Sequence, residues 1–479
     1  MRITWSGVAG WKTRRTTIGS VAVVIGTLTA GASGAVALPV EPSQISPLVA
    51  LEPGQISAEG TPITAEQAAH TVLTRSEAAA SLNPAAVAYY TRTYGVDEAE
   101  ARQRLENQVM VPNLQGMLKG QLGSSFSQLW FDNAAGQWVL DTTSPTASNA
   151  VGSLMSSVAS GVSYRIQHVA FNREQLIAAV KQLAEELPAT IPSGQFTVGV
   201  GEGAVDLTLA SGQPSGAADT AITKLAAEGN PVPVRMTRSP ESSLSATPAV
   251  SCSQFPWCND IVGGVDVFFK SGYECSAGYY VRSSGDPYPL VLTAGHCDIV
   301  AGNYGEWGTC NGTGGCGWYG HQIPFYYYGN GGGDAGLIED DSYGIYPGYV
   351  NWTYYHSVST LKSYETEPAP DGTVVCMQGA HAPGTSCGTI TDNNDWGVEY
   401  AADPPLLPKE TLNGMIQVTG ACILRGDSGG PADLASVEEA AGLNSAGHYS
   451  ESECTAENKS NYLEPINRAI AQLGVSFET

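Results

Sequence analysis

Leu292-Thr293-Ala294-Gly295-His296-Cys297 reads as a short apolar strand that runs into a tight glycine turn and presents a histidine at its end. Two stretches downstream have the same texture. Gly333-Asp334-Ala335-Gly336-Leu337-Ile338 sets an aspartate at the mouth of an apolar strand, and Gly426-Asp427-Ser428-Gly429-Gly430-Pro431 sets a serine in a turn crowded with glycine. Each alone has an ordinary explanation: a histidine packed in a core, an acid before a strand, a Gly-Asp-Ser turn. In the order His, Asp, Ser they gain a chemical one. A serine hydroxyl is a poor nucleophile until a base takes its proton, and a histidine near neutrality suits that task. An aspartate on the far imidazole nitrogen fixes the tautomer and stabilises the imidazolium that forms. Glycines beside Ser428 allow a cramped turn whose N–H groups can meet an oxyanion.

From Cys252 onward the surroundings of these motifs are short β-rich runs separated by glycine turns. They include Tyr279–Arg282, Leu290–Thr293, Ala335–Ile338, Thr373–Met377, Ile416–Thr419 and Ala440–Asn444, a pattern that predicts an antiparallel sandwich or barrel. One closing helix is expected at Pro465–Leu473: Pro465 lies in its first turn, Ile466, Ile470 and Leu473 share a face, and Gly474 caps the end. All ten cysteines (252, 258, 275, 297, 310, 316, 376, 387, 422 and 454) fall in this half. An even count without Cys-x-x-Cys pairs reads as disulfides formed in an oxidising compartment.

The 479 residues exceed what one core supports, so more than one domain is expected. Charged residues make up only 14%, which excludes a long coiled coil or a solvated polyampholyte, while 42% hydrophobic residues can bury a sizeable core. Residues 1–250 carry 15 Lys and Arg against 19 Asp and Glu, a net of −4; residues 251–479 carry 7 against 27, a net of −20. A total of −24 argues against nucleic-acid binding, which needs clustered cations.

Residues 1–37 read as a signal peptide. Lys12, Arg14 and Arg15 form a basic start, Ile18–Leu28 an apolar run too short to span a membrane, and Ala35-Val36-Ala37 a cleavage site. The Arg14-Arg15 pair leaves twin-arginine and general export both open. Stretches 38–62 and 210–250, rich in Ala, Pro, Ser and Gly, read as linkers around a cysteine-free α+β core at about 62–210. Its clearest helix starts at Asn172, an N-cap with Gln175 three residues on; Leu176, Val180, Leu183 and Leu187 follow at helical spacing until Pro188. Strands are expected at Gln195–Val200 and Ala204–Leu209, a further helix at Asp97–Met110 and a hairpin within Phe131–Leu140. The two histidines here, His70 and His168, have no catalytic partners in the pattern and read as surface or packing residues.

Thr293-Ala294-Gly295-His296-Cys297 and Gly426-Asp427-Ser428-Gly429-Gly430-Pro431 resemble the two signature motifs of chymotrypsin-fold serine endopeptidases. The likeness is closer to the bacterial secreted branch, the streptogrisins and alpha-lytic protease. Cys422 stands six residues before Ser428, Cys376…Cys387-Gly388-Thr389-Ile390-Thr391 resembles a second loop of that branch, and Tyr462-Leu463-Glu464-Pro465-Ile466…Leu473-Gly474-Val475 is similar to its final strand and helix. The resemblance covers about 258–479; segment 95–210 is more loosely similar to the branch's pro-region, which assists folding and then inhibits. It implies an all-β, trypsin-like fold of two six-stranded antiparallel β-barrels with a C-terminal helix, preceded by an α+β pro-region over 38–250. The protease domain would be 251–479, with the site between the barrels. His296 would be the general base, Asp334 its orienting acid and Ser428 the acylated nucleophile, with the N–H groups of Gly426 and Ser428 as oxyanion hole. The same likeness pairs Cys275–Cys297, Cys376–Cys387 and Cys422–Cys454. The remaining four cysteines fall into the short loops Cys252–Cys258 and Cys310–Cys316.

Counting from Cys422, the resemblance sets the base of the substrate pocket at Gly420 and Ala421 and its wall at Ser445, Ala446 and Gly447. No Asp lies at the base, and Gly447 leaves room, so bulky apolar or aromatic side chains before the scissile bond are expected. Arg425 and His448 keep an acidic preference open. Ile261-Val262-Gly263-Gly264 resembles the new N-terminus of animal-type zymogens, whose amine would pair with Asp427. Asn259-Asp260 before it matches the bacterial branch better, and cleavage is expected within Arg238–Ser251. Two rivals stand beside this reading. A non-catalytic trypsin-fold binding protein usually loses one of the three residues, and an α/β-hydrolase esterase needs Gly-x-Ser-x-Gly with its histidine last. The expected partners are peptide substrates and the chain's own pro-region as transient inhibitor, in a secreted, extracellular monomer without nucleic acid, cofactor or metal and free of the membrane after signal cleavage. Asn311, Asn351 and Asn458 open Asn-x-Ser/Thr triplets that read as chance.

Overall fold

Local chemistry explains the N-terminal helices. In the computed structural model, Arg173–Glu186 is a helix whose Asn172 side chain accepts from Gln175 N while the Gln175 side chain accepts from Asn172 N, so two orphan donors are satisfied reciprocally. Its buried face is Leu176, Ala179, Val180 and Leu183, and beyond Glu186 the chain tightens into the 3-10 turn Leu187–Ala189. The structure describes residues 62–63, 72–111, 113–158, 161–192, 195–210, 212–239, 261–264, 266–269, 274–283, 290–297, 306–310, 316–328, 332–339, 345–353, 357–360, 363–381, 385–400, 410–436, 439–447 and 460–478. The signal peptide, His70, the expected cleavage stretch beyond Ser239, Cys252, Cys258, His448 and Cys454 lie outside them.

The first part of the N-terminal segment packs the helices Arg75–Ser81, Pro84–Tyr94, Glu98–Val109, Leu114–Leu122 and Ala147–Val158 around a three-stranded sheet. That sheet is the hairpin Phe126–Asp132 and Gln137–Thr142 with Tyr164–His168 added in parallel, a longer hairpin than the pattern within 131–140 suggested. Asp97 caps the 98–109 helix through Glu100 N. In the second part Phe196–Gly201 and Ala204–Ala210 form a hairpin whose buried Phe196, Val198, Val205, Leu207 and Leu209 meet Leu176 and Leu183. The reading of 210–250 as a linker is corrected over its described part. Ser215–Ala227 is a helix that buries Ala218, Ala221 and Leu225, and Val234–Ser239 then pairs in parallel with Ala204–Ala210. Alanine is the best helix former, and its small side chains seat the helix closely, so a composition that reads as a linker folds as a crossover.

The C-terminal half is built of strands. One sheet runs Pro62–Ile63, Val475–Glu478, Tyr280–Ser283, Leu290–Thr293, Asp334–Glu339, Cys316–Tyr328, Glu306–Cys310, Asp266–Phe269 and Glu274–Ser276. In the other, Val374–Met377, Pro431–Leu434, Glu439–Gly447, Ser460–Pro465, Glu410–Thr419 and Ser386–Tyr400 pair in turn. Val374–Met377 also pairs with Ser386–Tyr400, which closes these six strands into a ring. The ring continues outward through the Trp396–Val198 pair into the N-terminal hairpin. Ile466–Leu473 is the terminal helix, with Pro465 as N-cap and Gly474 as a left-handed C-cap at φ 65°. No described helix is long and apolar enough to cross a membrane.

Candidate active site

Strand Leu290–Thr293 is buried throughout and ends in the turn that carries His296. It pairs with Asp334–Glu339 so that Thr293 faces Gly336, which brings the start of that second strand beside the histidine turn. The result is a two-point clasp. His296 Nδ1 lies 2.8 Å from Asp334 Oδ2, and the His296 backbone N–H donates to Asp334 Oδ1 at 2.8 Å. The ring thus has its Nδ1 edge on the carboxylate and Nε2 turned away from it. His296 is 4% exposed and Asp334 fully buried.

The Asp334 carboxylate also accepts from the Ser445 hydroxyl, and its backbone N–H donates to Glu464 Oε2 at 2.8 Å. Glu464 is itself fully buried and held by Arg468 through Nε and Nη2, both at 2.6 Å. A side chain on Gly333 would collide with that Glu464 carboxylate, so the glycine before Asp334 is a packing requirement.

Ser428 reaches the same place through its backbone. Ser276 N–H donates to Ser428 O at 2.7 Å, and Gly429 N–H donates to Asn444 O at 2.7 Å. Gly429, at φ 84°, presses against Thr293 and Ala294, so the serine turn rests on the histidine turn and no side chain fits between them. Gly426, at φ 90°, holds the His381 ring where a Cβ would stand. Ser276 Oγ donates to Gly426 O at 2.8 Å, fixing which way that peptide faces. Among the described residues no acceptor meets the N–H of Gly426 or of Ser428. Two unpaired donors two residues apart in the serine turn are suited to a developing oxyanion.

Asp427 is buried: its Oδ1 accepts from His381 N at 2.7 Å and its Oδ2 from Leu424 N at 2.6 Å. The His381 ring lies 3.3 Å from Glu274 Oε2. Burial lowers the His381 pKa, but Glu274, Asp427 and Asp266 outweigh it and hold the pKa above the ordinary histidine value. Asp266, Glu274 and His381 bring donor atoms within 4.8 Å of one another, a geometry that could hold a metal. The Cys275, His296 and Cys297 cluster could not, because its sulfurs are joined to each other.

Cys275–Cys297 ties the histidine turn to strand Glu274–Ser276, with Cα atoms 6.3 Å apart. Cys376–Cys387 bridges two paired strands. Cys422 is disulfide-bonded, and its expected partner Cys454 lies outside the described residues. The backbones of Cys310 and Cys316 stand opposite each other in register.

The expected pocket residues fare differently. Gly420 is partly covered: at φ 90° its position for a Cβ lies 2.8 Å from the Tyr89 hydroxyl, and Tyr89 belongs to helix Pro84–Tyr94 of the N-terminal segment. Ala421 is fully buried, with its carbonyl bonded to Asn461 Nδ2 at 2.8 Å. Ser445 and Ala446 are also fully buried, and the Ser445 hydroxyl serves Asp334. Ala421, Ser445, Ala446 and Gly447 therefore present no open surface, and Gly420 stays partly exposed beside Tyr89. Sequence reasoning missed Ser276, His381, Asn444 and Glu464 as partners of the site. Their contacts join residues 17 to 150 positions apart, and no local pattern marks them.

Over 217 residues the chain is 29% identical to Streptogrisin-D of Streptomyces griseus, an alignment covering 45% of this chain and 48% of that protein. The chain thus spans about half the length of this curated relative. No family model matches it. Among solved structures it is similar to a chymotrypsin of Cellulomonas bogoriensis, with 24% identity, 46% of this chain, 99% of that one and a TM-score of 0.34. It is also similar to the Nocardiopsis protease NAPase, with 24% identity, 46% of this chain, 100% of that one and a TM-score of 0.35. A glutamic acid-specific serine protease described as using a histidine triad in substrate binding shows 22% identity, 45% and 100% coverage and a TM-score of 0.36. The chain is similar to bacterial chymotrypsin-fold serine proteases.

Proposed function

We propose that this chain, a relative of the bacterial chymotrypsin-fold serine proteases, is a secreted serine endopeptidase made as a preproprotein. Residues 1–37 are the signal peptide, 38–250 the pro-region and 251–479 the protease domain. The observation that carries this reading is the clasp of His296 by Asp334 beside a serine turn with two unpaired N–H groups. These parts come from three separate strand ends, and nothing about core packing alone calls for them together.

In the reaction, His296 Nε2 takes the proton of Ser428 Oγ as that oxygen attacks the scissile carbonyl carbon. The carbonyl π electrons move to oxygen, and the N–H groups of Gly426 and Ser428 stabilise the anion. Collapse breaks the C–N bond, with the proton passing from His296 to the leaving amine and an acyl-Ser428 ester remaining. Water, deprotonated by His296, repeats the sequence and frees the carboxylate product. Asp334 keeps Nδ1 protonated and offsets the imidazolium charge in each half. The pro-region blocks the site until removed, a reading supported by Tyr89 on Gly420. The substrates are proteins and peptides with a bulky apolar or aromatic residue before the scissile bond, admitted at Gly447. The enzyme acts as a monomer and needs no cofactor.

The test is an intact-mass spectrum of the secreted protein after exposure to a fluorophosphonate, beside a Ser428→Ala control. A trimmed species that gains one phosphonyl group, with a control that neither labels nor trims, is the expected result. A fully trimmed domain that stays unlabelled would overturn the proposal in favour of a non-catalytic binding protein.

A further inference from the structure

The acidic C-terminal half meets the N-terminal segment with carboxyl groups buried in the seam. Asp371 lies beneath the hairpin that starts at Phe126: Gln128 Nε2 donates to its Oδ2, and Phe131 N–H donates to its carbonyl at 2.8 Å. Residue Asp371 is partly exposed, but its Oδ1 is sealed from water. Asp392 rests on Gly199, where any side chain would overlap its carboxylate. Asp395 is faced by the Thr197 and Tyr462 hydroxyls. Glu365 takes the Asn113 N–H at 3.3 Å, and the Glu439 carboxyl lies near it with both oxygens sealed from water. Asp392, Asp395, Glu365 and Glu439 are 8, 2, 3 and 1% exposed.

Cations do not balance this set. Among the described residues, Arg173 is the buried one in the seam, and its Nη2 is aimed at Asn393 Oδ1 at 2.9 Å. Lys119 pairs with Glu367 at 2.7 Å, and Arg235 is engaged by Asp206 at 2.6 Å. The other charged groups felt by the cluster, Asp206, Glu202, Glu367 and Asp433, are all acidic. Two carboxyls in contact cannot both ionise, and a lone buried carboxylate is costly. Burial raises Asp371 to about 8 and Asp395 and Glu365 to about 7, and holds Asp392 and Glu439 well above the usual carboxylate range.

We infer that this seam is a proton-held latch: Glu365, Glu439, Asp371, Asp392 and Asp395 hold the N-terminal segment closed while protonated, and the seam opens as the medium becomes neutral to mildly alkaline. The inference rests on the reading of 38–250 as a removable pro-region and supplies the condition that loosens it. A carboxyl whose value in the closed seam lies above its open value of about 4 favours closure fully below pH ~4. That contribution is lost as pH rises through the closed values of about 7 to 8.

The full chain carrying Ser428→Ala, which keeps it intact, is followed by hydrogen–deuterium exchange from about pH 5 to about pH 8, corrected for the intrinsic rate. One proton held by the closed seam alone changes the opening equilibrium about tenfold per pH unit. Protection of amides 196–201 and 390–398 is expected to fall at least ~100-fold over this range, and to fall by a clearly smaller factor in Glu365→Gln/Asp371→Asn/Asp392→Asn, where Asp395 and Glu439 alone still titrate. If the triple variant does not fold, Glu365→Gln alone is expected to lower the slope. Protection that ignores pH, or that falls equally in the variants, overturns the latch. Fluorophosphonate labelling of the chain with Ser428 intact separates the two readings. Labelling that rises as protection falls supports both, whereas opening without labelling at any pH overturns the protease and leaves the latch standing.

Discussion

The N-terminal segment and the C-terminal half reach a folded state by different means. Segment 72–239 has no cysteine and relies on capped helices, apolar stripes and exposed ion pairs such as Arg102–Glu98 and Lys224–Glu186. Such pairs contribute little each, so its stability rests on burial and caps. The C-terminal half is tied by disulfides and carries buried polar networks: the Asp334–Ser445–Glu464–Arg468 chain, Asn444 under the serine turn, and Tyr279 donating to Ala432 O and Asp433 Oδ1 at 2.8 and 2.9 Å. Buried hydrogen-bonded networks fix one geometry at a cost in solvation. A reaction site of the proposed kind needs that fixity; a segment proposed to be removed does not. A change to the network should therefore affect chemistry far more than stability, whereas a change to the N-terminal segment should do the reverse.

The largest expected effect tests the first half of that contrast. Asp334→Asn keeps shape and volume but can no longer hold the Nδ1–H tautomer of His296, because an amide nitrogen offers a donor where an acceptor stood. The expected loss is about 10⁴-fold in kcat, equivalent to ~5 kcal/mol in the barrier. Active-site titration with steady-state kinetics on the processed enzyme measures it. A loss below tenfold would mean that the clasp is structural.

The second prediction concerns the other region. Leu183 is fully buried in the cluster formed by helix 173–186 and hairpin 196–210. Leu183→Ala removes buried methyl groups and leaves a cavity, for an expected loss of about 2–5 kcal/mol. In the full chain with Ser428→Ala, exchange protection should fall first in 173–210 and only later in 374–377. Simultaneous loss in both regions would dissolve the contrast, making the two one cooperative unit.

The contrast also explains what could be read from the sequence. Helix 173–186 was legible to within a residue because cap, periodicity and stop signal are all local. Strand Leu290–Thr293 was legible because it is a continuous apolar run, and its motif named the histidine. Strand Glu410–Thr419 extends six residues earlier than the apolar pattern Ile416–Thr419, because its polar first half is held by pairing with 396–400. Helix Ser215–Ala227 hid inside a composition that resembles a linker. Glu464 was invisible as a partner of Asp334, since that contact joins positions 130 apart and depends on the strand and helix at the chain's end. The candidate residues were thus readable as local motifs, and the contacts that surround them were not.

The smallest expected effect sharpens the contrast at its most local point. Asn172 Oδ1 accepts from Gln175 N at 2.9 Å, Gln175 Oε1 accepts from Asn172 N at 2.9 Å, and Asn172 Nδ2 also donates to Ser124 O at 2.8 Å. Asn172→Ala removes both side-chain bonds and leaves a helix N–H without its partner, a loss of about 1 kcal/mol. Asn172→Asp restores the acceptor and adds a negative charge at the positive helix end, but cannot donate to Ser124 O. If the cap stabilises through the helix end, Asp should recover most of the loss in a chemical-denaturation midpoint. If it acts mainly by tying helix 173–186 to the Gly123–Ser125 turn, Asp should be as damaging as Ala. The first outcome keeps the N-terminal segment an assembly of locally stabilised elements. The second would give it a tertiary network of its own, and the difference from the C-terminal half would then be one of degree.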